Sequence, residues 1–296
     1  LLKLLFLETR PQYLLLSVIL AFLGTSIAWY YQGTVNAWHA ILAGLGLVFT
    51  HISVNTFNDY FDFKSGIDLR TEVTPFSGGS GMLKAKLLKP KHVLWTGIIA
   101  LLMAIPIGVY FTIIKGLLLL PVLFVAALCV VLYSPLILKL HWPEWSAGLG
   151  LGMLPVVGSY FVQTGTYSLK LFIAAVPSLI LVHNLLLLNE FPDIEADRSG
   201  GRRTLPITMG IKNAGIVYSV LAAAVYAWII ANAAIGIAPV WTLISLATIP
   251  FSVMAVIGLF RIKKPGSIIN AMKNNVIVVL ITQLMLAIGY LLAAVL

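Results

Sequence analysis

Long apolar runs separated by short polar breaks fill this chain. Nine can be drawn, at 12–31, 37–57, 93–114, 117–133, 145–162, 169–189, 213–232, 238–260 and 275–296. A helix needs about 20 mostly apolar residues to cross the hydrocarbon core of a bilayer, so the pattern predicts nine transmembrane helices. The runs are too continuous for the alternating strands of roughly ten residues found in outer-membrane barrels. Only Lys115-Gly116 parts the third run from the fourth. Ahead of the first, Leu1 to Leu7 reads as an interfacial helix, because it leads into Glu8-Thr9-Arg10-Pro11 without the small-residue cleavage site of a secretory signal. The longest polar stretches, 60–92 and 190–212, follow the second and sixth runs. No linker divides the chain, which is expected to form one all-α transmembrane domain over residues 1–296.

Composition agrees, and charge sets the orientation. Of 296 residues 60% are hydrophobic and 10% are charged, whereas soluble domains carry about 25% charged residues. A soluble enzyme is excluded. With nine crossings, the loops after even-numbered helices lie on the N-terminal side, and together with the N-terminal segment they hold all but Lys115 and Lys170 of the 19 Lys and Arg. The positive-inside rule then makes the N-terminus and these loops cytoplasmic in a multi-pass protein of the plasma membrane. All ten acidic residues fall on the same side. The net charge of +9 is explained by topology and by attraction to anionic headgroups at Lys89, Lys91 and the group Arg261, Lys263, Lys264 and Lys273. It calls for no nucleic-acid partner. The single Cys129 has no disulfide partner and reads as a packing residue.

One polar pattern stands out against this background. Asn58-Asp59-Tyr60-Phe61-Asp62 closes the second run, and Asn189-Glu190-Phe191-Pro192-Asp193 closes the sixth; a further acid follows each, Asp68 and Asp197. Four crossings lie between the copies, so both emerge on one membrane face. The repetition hints at a parallel internal duplication, with halves of about 1–140 and 141–296. Residues three, four and seven apart share a helix face. Asn55, Asn58, Asp59 and Asp62 therefore form one patch, and Asn189, Asp193 and Asp197 another, provided that Pro192 only kinks its helix. Carboxylates beside amide oxygens are hard donors suited to magnesium. A lone acid at a helix end often reaches only headgroup water, but two matched clusters indicate a shared use.

Basic and glycine-rich stretches follow both copies: Lys64, Arg70, Ser77-Gly78-Gly79-Ser80-Gly81, Lys84 and Lys86 after the first, and Arg198, Gly200-Gly201 and Arg202-Arg203 after the second. Glycine turns expose backbone N–H groups, and Arg and Lys pair with phosphate oxygens. The expected ligand is a metal-bridged diphosphate.

Asn58-Asp59-x-x-Asp62 and Asp193-x-x-x-Asp197 resemble the two Asp-rich motifs of the UbiA superfamily of intramembrane prenyltransferases. Arg10-Pro11, Tyr133-Ser134, Lys139, Glu144 and the nine spans extend the likeness over most of the chain. The resemblance implies a bundle of nine helices around a central cavity under a cytoplasmic cap. It also implies that Asn58, Asp62, Asp193 and Asp197 hold Mg2+, as a pair of ions, on an isoprenyl diphosphate, with Asp59 and Asp68 assisting. Arg10, Arg70, Lys84, Lys139 and Arg203, with Tyr133 and Ser134, are the implied diphosphate contacts. In one departure, Gly66 stands where the family's first motif has its last acid, and Asp68 lies two positions further on. The string from Asn189 to Asp197 with Arg198, Gly200-Gly201-Arg202-Arg203 and Thr204-Leu205-Pro206 is most similar to the branch that prenylates 1,4-dihydroxy-2-naphthoate for menaquinone.

That chemistry suits the residues. Metal ions and cationic side chains neutralise the diphosphate as the allylic C–O bond breaks, and a dry pocket protects the carbocation from water. Tyr60, Phe61, Phe63 and Phe191 are candidates for cation–π contact and equally for packing. His51 and His183, inside the second and sixth spans, are candidates for touching an aromatic acceptor, with packing the ordinary alternative. Expected partners are an isoprenyl diphosphate, an aromatic small molecule and membrane lipid, with no protein partner inferred. A non-quinone acceptor such as geranylgeranylglyceryl phosphate or haem stays open. So does a lipid-diphosphate phosphatase or phosphotransferase, which would use the same ligands. A transporter would have no need of matched Asp motifs.

Overall fold

The computed structural model describes residues 1–71, 73–262 and 264–296; Lys263, assigned above to the cytoplasmic side, and Glu72 lie outside the described residues. Among these residues every regular element is a helix, apart from one isolated bridge between His141 and Arg203. In chain order α1 (Leu2–Glu8) precedes α2 (Pro11–Gln32) and α3 (Ala37–Ser65), and a short α4 (Ile67–Arg70) follows. Then come α5 (Pro90–Lys115), α6 (Leu120–Val131), and α7 (Glu144–Ala147), which continues through a π turn into α8 (Leu154–Thr164). The rest is α9 (Leu169–Asn189), α10 (Ile194–Ser199), α11 (Leu205–Ala234), α12 (Ile249–Phe260) and α13 (Ser267–Val295).

Eight helices among the described residues are long and apolar enough to cross a membrane, with Glu144–Thr164 and Val240–Phe260 each counted as one rod. The ninth expected span is shorter. Its residues form a 3-10 turn, Leu117–Leu119, followed by α6, and at about 1.5 Å per residue this leg falls short of a hydrocarbon core roughly 30 Å thick. It still returns the chain to the motif end, since Ser134 lies 3.2 Å from the Asn58 side chain.

The opposite end is tied together separately. Lys115 donates to the Gln163 carbonyl at 2.8 Å, and the Gln163 side chain accepts the Asn36 N–H at 2.8 Å. Capping side chains start two of the helices there: Asn36 accepts from His39 N at 3.1 Å, and Ser168 from Leu171 N at 3.2 Å.

Helix α2 runs through the middle of the bundle. Its Leu16, Leu20, Leu23 and Ile27 are buried with Val156 and Tyr160 of α8, Leu171 and Val182 of α9, and Val278 and Leu286 of α13. Helix α5 is its opposite, with Ile99, Leu102 and Ile113 exposed at the periphery where lipid would lie. Between these extremes a cavity of about 580 Å³ is bounded by α2, α3, α5, α6, α8 and α9. Its walls are mostly apolar, and its polar end meets the first motif. Over that end α1 forms part of a cap, with Leu4 and Leu5 packed against Leu83, Leu88 and Val93.

Candidate active site

The first motif lies on one unbroken helix. No proline interrupts α3, so Asn58 and Asp62 stack one turn apart, and Asn58 Nδ2 donates to Asp62 Oδ2 at 3.1 Å and to Ser134 Oγ at 3.2 Å. Gly66, with φ +80°, ends α3 in a left-handed turn. The turn leads into α4 and sets Asp68 near Asp62, where burial, then the charges of Asp62 and Asp59, push its carboxyl up to about 8.

The second motif corrects the expectation of a kinked helix. Helix α9 stops at Asn189, residues 190–193 turn with the Asp193 N–H on the Glu190 carbonyl at 3.2 Å, and α10 begins after Asp193. Pro192 is the physical cause, since it lacks an N–H and disfavours helical backbone at the residue before it. Asn189, Asp193 and Asp197 therefore do not share one helix face. Asp193 and Asp197 sit one turn apart at the start of α10, with Asp197 N–H on Asp193 O at 2.8 Å. Asn189 borders the cavity, and its buried Oδ1 has no hydrogen-bond partner.

Arg202 joins the two halves. One guanidinium nitrogen donates to Asp197 Oδ1 at 2.7 Å and the other to Asp62 Oδ1. The sequence reading selected its neighbour, Arg203, which is exposed and pairs through its carbonyl with the Trp142 N–H at 3.1 Å. In extended chain, neighbouring side chains point to opposite sides, so only one of the two arginines faces the acids. The doubled arginine was the available signal; which one turns inward was not written in it.

Other expected contacts scatter. Arg10 borders the cavity with its guanidinium 4.7 Å from the Tyr13 ring centroid, and Tyr133 lines the same polar end. Lys84 is exposed and donates to the Thr71 carbonyl at 2.6 Å, while Arg70 and Lys139 are exposed. Tyr60 and Phe63 pack in the cap, and Phe191 is buried in a separate core cluster. Tyr133 lies near Asp62 and Glu190, and Tyr13 lies beside Arg10. His51 lines the cavity with Nδ1 2.9 Å from Ser17 Oγ, whereas His183 pairs with Asn184 at 3.3 Å away from the cavity lining.

Asp59, expected to assist metal binding, lies against the loop that follows its helix. Its Oδ2 accepts the Ser80 N–H at 2.7 Å, and Gly79, at φ +71°, packs so closely that a Cβ there would lie 3.0 Å from Oδ1. Asp59 therefore faces the glycine-rich loop. That loop also comes close to the other half-site, where the Ser77 hydroxyl favours the charged form of Asp193.

Electrostatics show what the cluster lacks. Arg202 pairs directly with Asp62 and Asp197, and its charge also reaches Asp68 and Asp193. Burial, then the charge of Asp197, raises the Asp193 carboxyl to about 7; burial raises Asp197 to about 6 against the pull of Arg202. Burial without full compensation thus disfavours the charged form of both carboxyls, and a bound cation would favour it. Among the described residues no three His, Cys, Asp or Glu side chains form a complete metal cage. The oxygen donors instead form two half-sites, with Asn58 and Asp62 on one side and Asp193, Asp197 and the unpartnered Asn189 amide on the other. Incomplete oxygen-only coordination suits magnesium, which keeps positions for water and phosphate oxygens.

Comparison with known proteins identifies the family and the fold. Residues 17–292 match the model of the UbiA prenyltransferase family. A 1,4-dihydroxy-2-naphthoate octaprenyltransferase of Bacillus subtilis (strain 168) is 31% identical over 274 residues, 90% of this chain and 85% of that protein. The enzyme of the same name from Escherichia coli (strain K12) is 27% identical over 69% of this chain and 68% of its own. In three dimensions, a UbiA homolog from Aeropyrum pernix K1 superposes with a TM-score of 0.69 at 18% identity, over 90% of this chain and 95% of that one. A UbiA homolog from Archaeoglobus fulgidus bound to GPP and Mg2+ gives 0.64 at 15% identity, over 99% and 100%. Matched along nearly its whole length in sequence and in fold, the chain belongs to the UbiA prenyltransferase family.

Proposed function

We propose that this protein transfers a polyprenyl group from an allylic isoprenyl diphosphate to an aromatic ring, with 1,4-dihydroxy-2-naphthoate as acceptor and menaquinone formation as the setting. One observation carries the reading: two carboxylate half-sites joined by Arg202 lie beside Asn58 and Asn189, which line a mostly apolar cavity of about 580 Å³. A diphosphate fits the polar end and an isoprenoid tail the apolar walls. The curated relatives described above carry the naphthoate name, which favours this acceptor over haem or a glyceryl phosphate.

Asn58, Asp62, Asp193 and Asp197 would hold magnesium, as one ion or two, with Asp68 beside them. When bound, magnesium supplies positive charge that offsets the charge growing on the departing diphosphate. Arg202 is poised to exchange a carboxylate for a phosphate oxygen, since its guanidinium pairs with either. Tyr133 and Ser134, at the cavity's polar end and on Asn58 respectively, are placed to orient the leaving group. The allylic C–O bond breaks, its electron pair leaves with diphosphate, an acceptor ring carbon forms the new C–C bond, and the group displaced from the ring, the carboxylate of 1,4-dihydroxy-2-naphthoate leaving as CO2, departs to restore aromaticity. The apolar walls exclude water that would otherwise trap the allylic cation. Arg10 and the Ser17–His51 pair border the space left for the acceptor. The charge asymmetry of the loops supports a cytoplasmic active-site face in the plasma membrane.

The test is diphosphate release by purified protein with geranylgeranyl diphosphate and a panel of acceptors. Release that needs magnesium and is stimulated by dihydroxynaphthoate is the expected result. Release indifferent to any acceptor would instead identify a lipid-diphosphate phosphatase.

A further inference from the structure

Two buried acids outside the cation cluster occupy matching stations. Glu8, at the end of α1, is fully buried; its Oε2 accepts the Ser80 hydroxyl at 2.5 Å, and its carboxyl lies within hydrogen-bonding reach of Asp59. Glu144, at the start of α7, is also fully buried; its Oε1 accepts the Leu205 N–H at 2.6 Å, and its carboxyl lies within reach of Glu190. Each contact thus joins the acid that opens one half of the chain to the second residue of that half's motif. In both pairs the remaining oxygens are orphaned: Glu8 Oε1 with Asp59 Oδ1, and Glu144 Oε2 with both oxygens of Glu190. Buried polar atoms are nearly always hydrogen-bonded. The partners that these acids do have come from the two loops, at Ser80 and Leu205.

What each pair holds gives it a use. Glu8 and Asp59 together grip Ser80 through hydroxyl and backbone N–H, and the same loop sends Ser77 across to Asp193. Glu144 grips the first residue of α11, directly after the segment that carries Arg202 to Asp62. Each clamp therefore fixes a loop from its own half against the cation site of the other half.

We propose that Glu8 and Glu144 are positioning residues, clamping the two loops that lock the half-sites together, and that Asp59 and Glu190 serve these clamps as their partners. The kinetic part rests on the prenyltransferase reading above; the structural part does not.

The test separates length from charge in the full chain. Glu8→Gln and Glu144→Gln keep the reach and an oxygen that can accept from Ser80 or Leu205, whereas Glu8→Asp and Glu144→Asp keep the charge but fall one methylene short. Amide exchange is followed at Ser80 and Leu205, together with steady-state turnover of geranylgeranyl diphosphate. The Gln variants are expected to keep slow exchange and a KM within about twofold of wild type. The Asp variants are expected to exchange about tenfold faster and to raise KM about tenfold, with kcat lowered less, as lost loop closure should do. Gln variants that lose function while Asp variants keep it would overturn the proposal and make the acids charged ligands. Unchanged exchange in the Asp variants would overturn it whatever the turnover, and altered exchange without any prenyl transfer would leave the clamp standing while the enzymatic reading fails.

Discussion

The two copies of the Asn-acid-aromatic-x-Asp pattern are close in sequence and unlike in backbone. In the first, α3 continues past Asp62 to Ser65, so Asn58 and Asp62 are held by ordinary helical stacking. In the second, the chain breaks after Asn189 and the acids move onto the separate helix α10. One proline, Pro192, accounts for the difference. The contrast shows that a repeated motif can preserve its chemical inventory while changing how each side chain is supported. It also explains the importance of Arg202 and the Ser77–Gly81 loop, which connect a rigid half-site to one built on a turn.

The largest effect is expected from removing a carboxylate of either half. Asp62→Ala and Asp197→Ala should each lower kcat on the order of 10² to 10³-fold, the scale of losing a major electrostatic contact to developing charge. A variant that spared activity would show that its half is not part of the site. Next comes Arg202→Ala. Loss of its pairing should raise KM for the prenyl diphosphate about tenfold, yet magnesium binding without substrate should not weaken, because a competing cation has gone. Weaker magnesium binding in that variant would mean that Arg202 is chiefly a structural brace.

Pro192→Ala tests the break itself. Restoring an N–H lets α9 propagate, and the apparent magnesium affinity is expected to fall several-fold as Asp193 rotates away. An unchanged affinity would make the break incidental.

Acidity provides a further comparison. Asp193 and Asp197 are raised to about 7 and about 6 from an ordinary 3.8. Protons then compete with the cation, so magnesium affinity should fall as pH drops through this window. The sign for stability is opposite without cation. The folded chain holds protons that the unfolded chain releases above about 4, so cation-free stability should decline as pH rises from about 4 through about 7, and magnesium should offset that loss. Melting curves with and without magnesium at several pH values measure both slopes. The smallest effect belongs to Arg203→Ala, expected within about twofold of wild-type turnover because an exposed side chain off the site contributes little.

Much of this was legible in the sequence because hydrophobic run length and charge asymmetry are direct responses to a bilayer. The eight long spans and the placement of both motifs at one end follow from them. The fourth run was too short to cross by its helix alone, and Leu117 to Leu119 form a 3-10 turn that hydropathy does not register. The pattern singled out Asn58, Asp62, Asp193 and Asp197, which the structure gathers around Arg202. Arg202 was not, because two adjacent arginines differ only in which way an extended segment turns them. Asp59 and Glu190 were read with the other acids since helix periodicity gives a direction but not a partner, and their partners, Glu8 and Glu144, come from distant elements.

The central claim is that both half-sites hold the same cation-diphosphate complex. Isothermal titration of geranylgeranyl diphosphate into wild type, Asp62→Ala and Asp193→Ala, with and without magnesium, tests it most directly. Magnesium should tighten binding to wild type, and each substitution alone should abolish that gain. If either variant bound the diphosphate with wild-type magnesium dependence, the two motifs would not form one site.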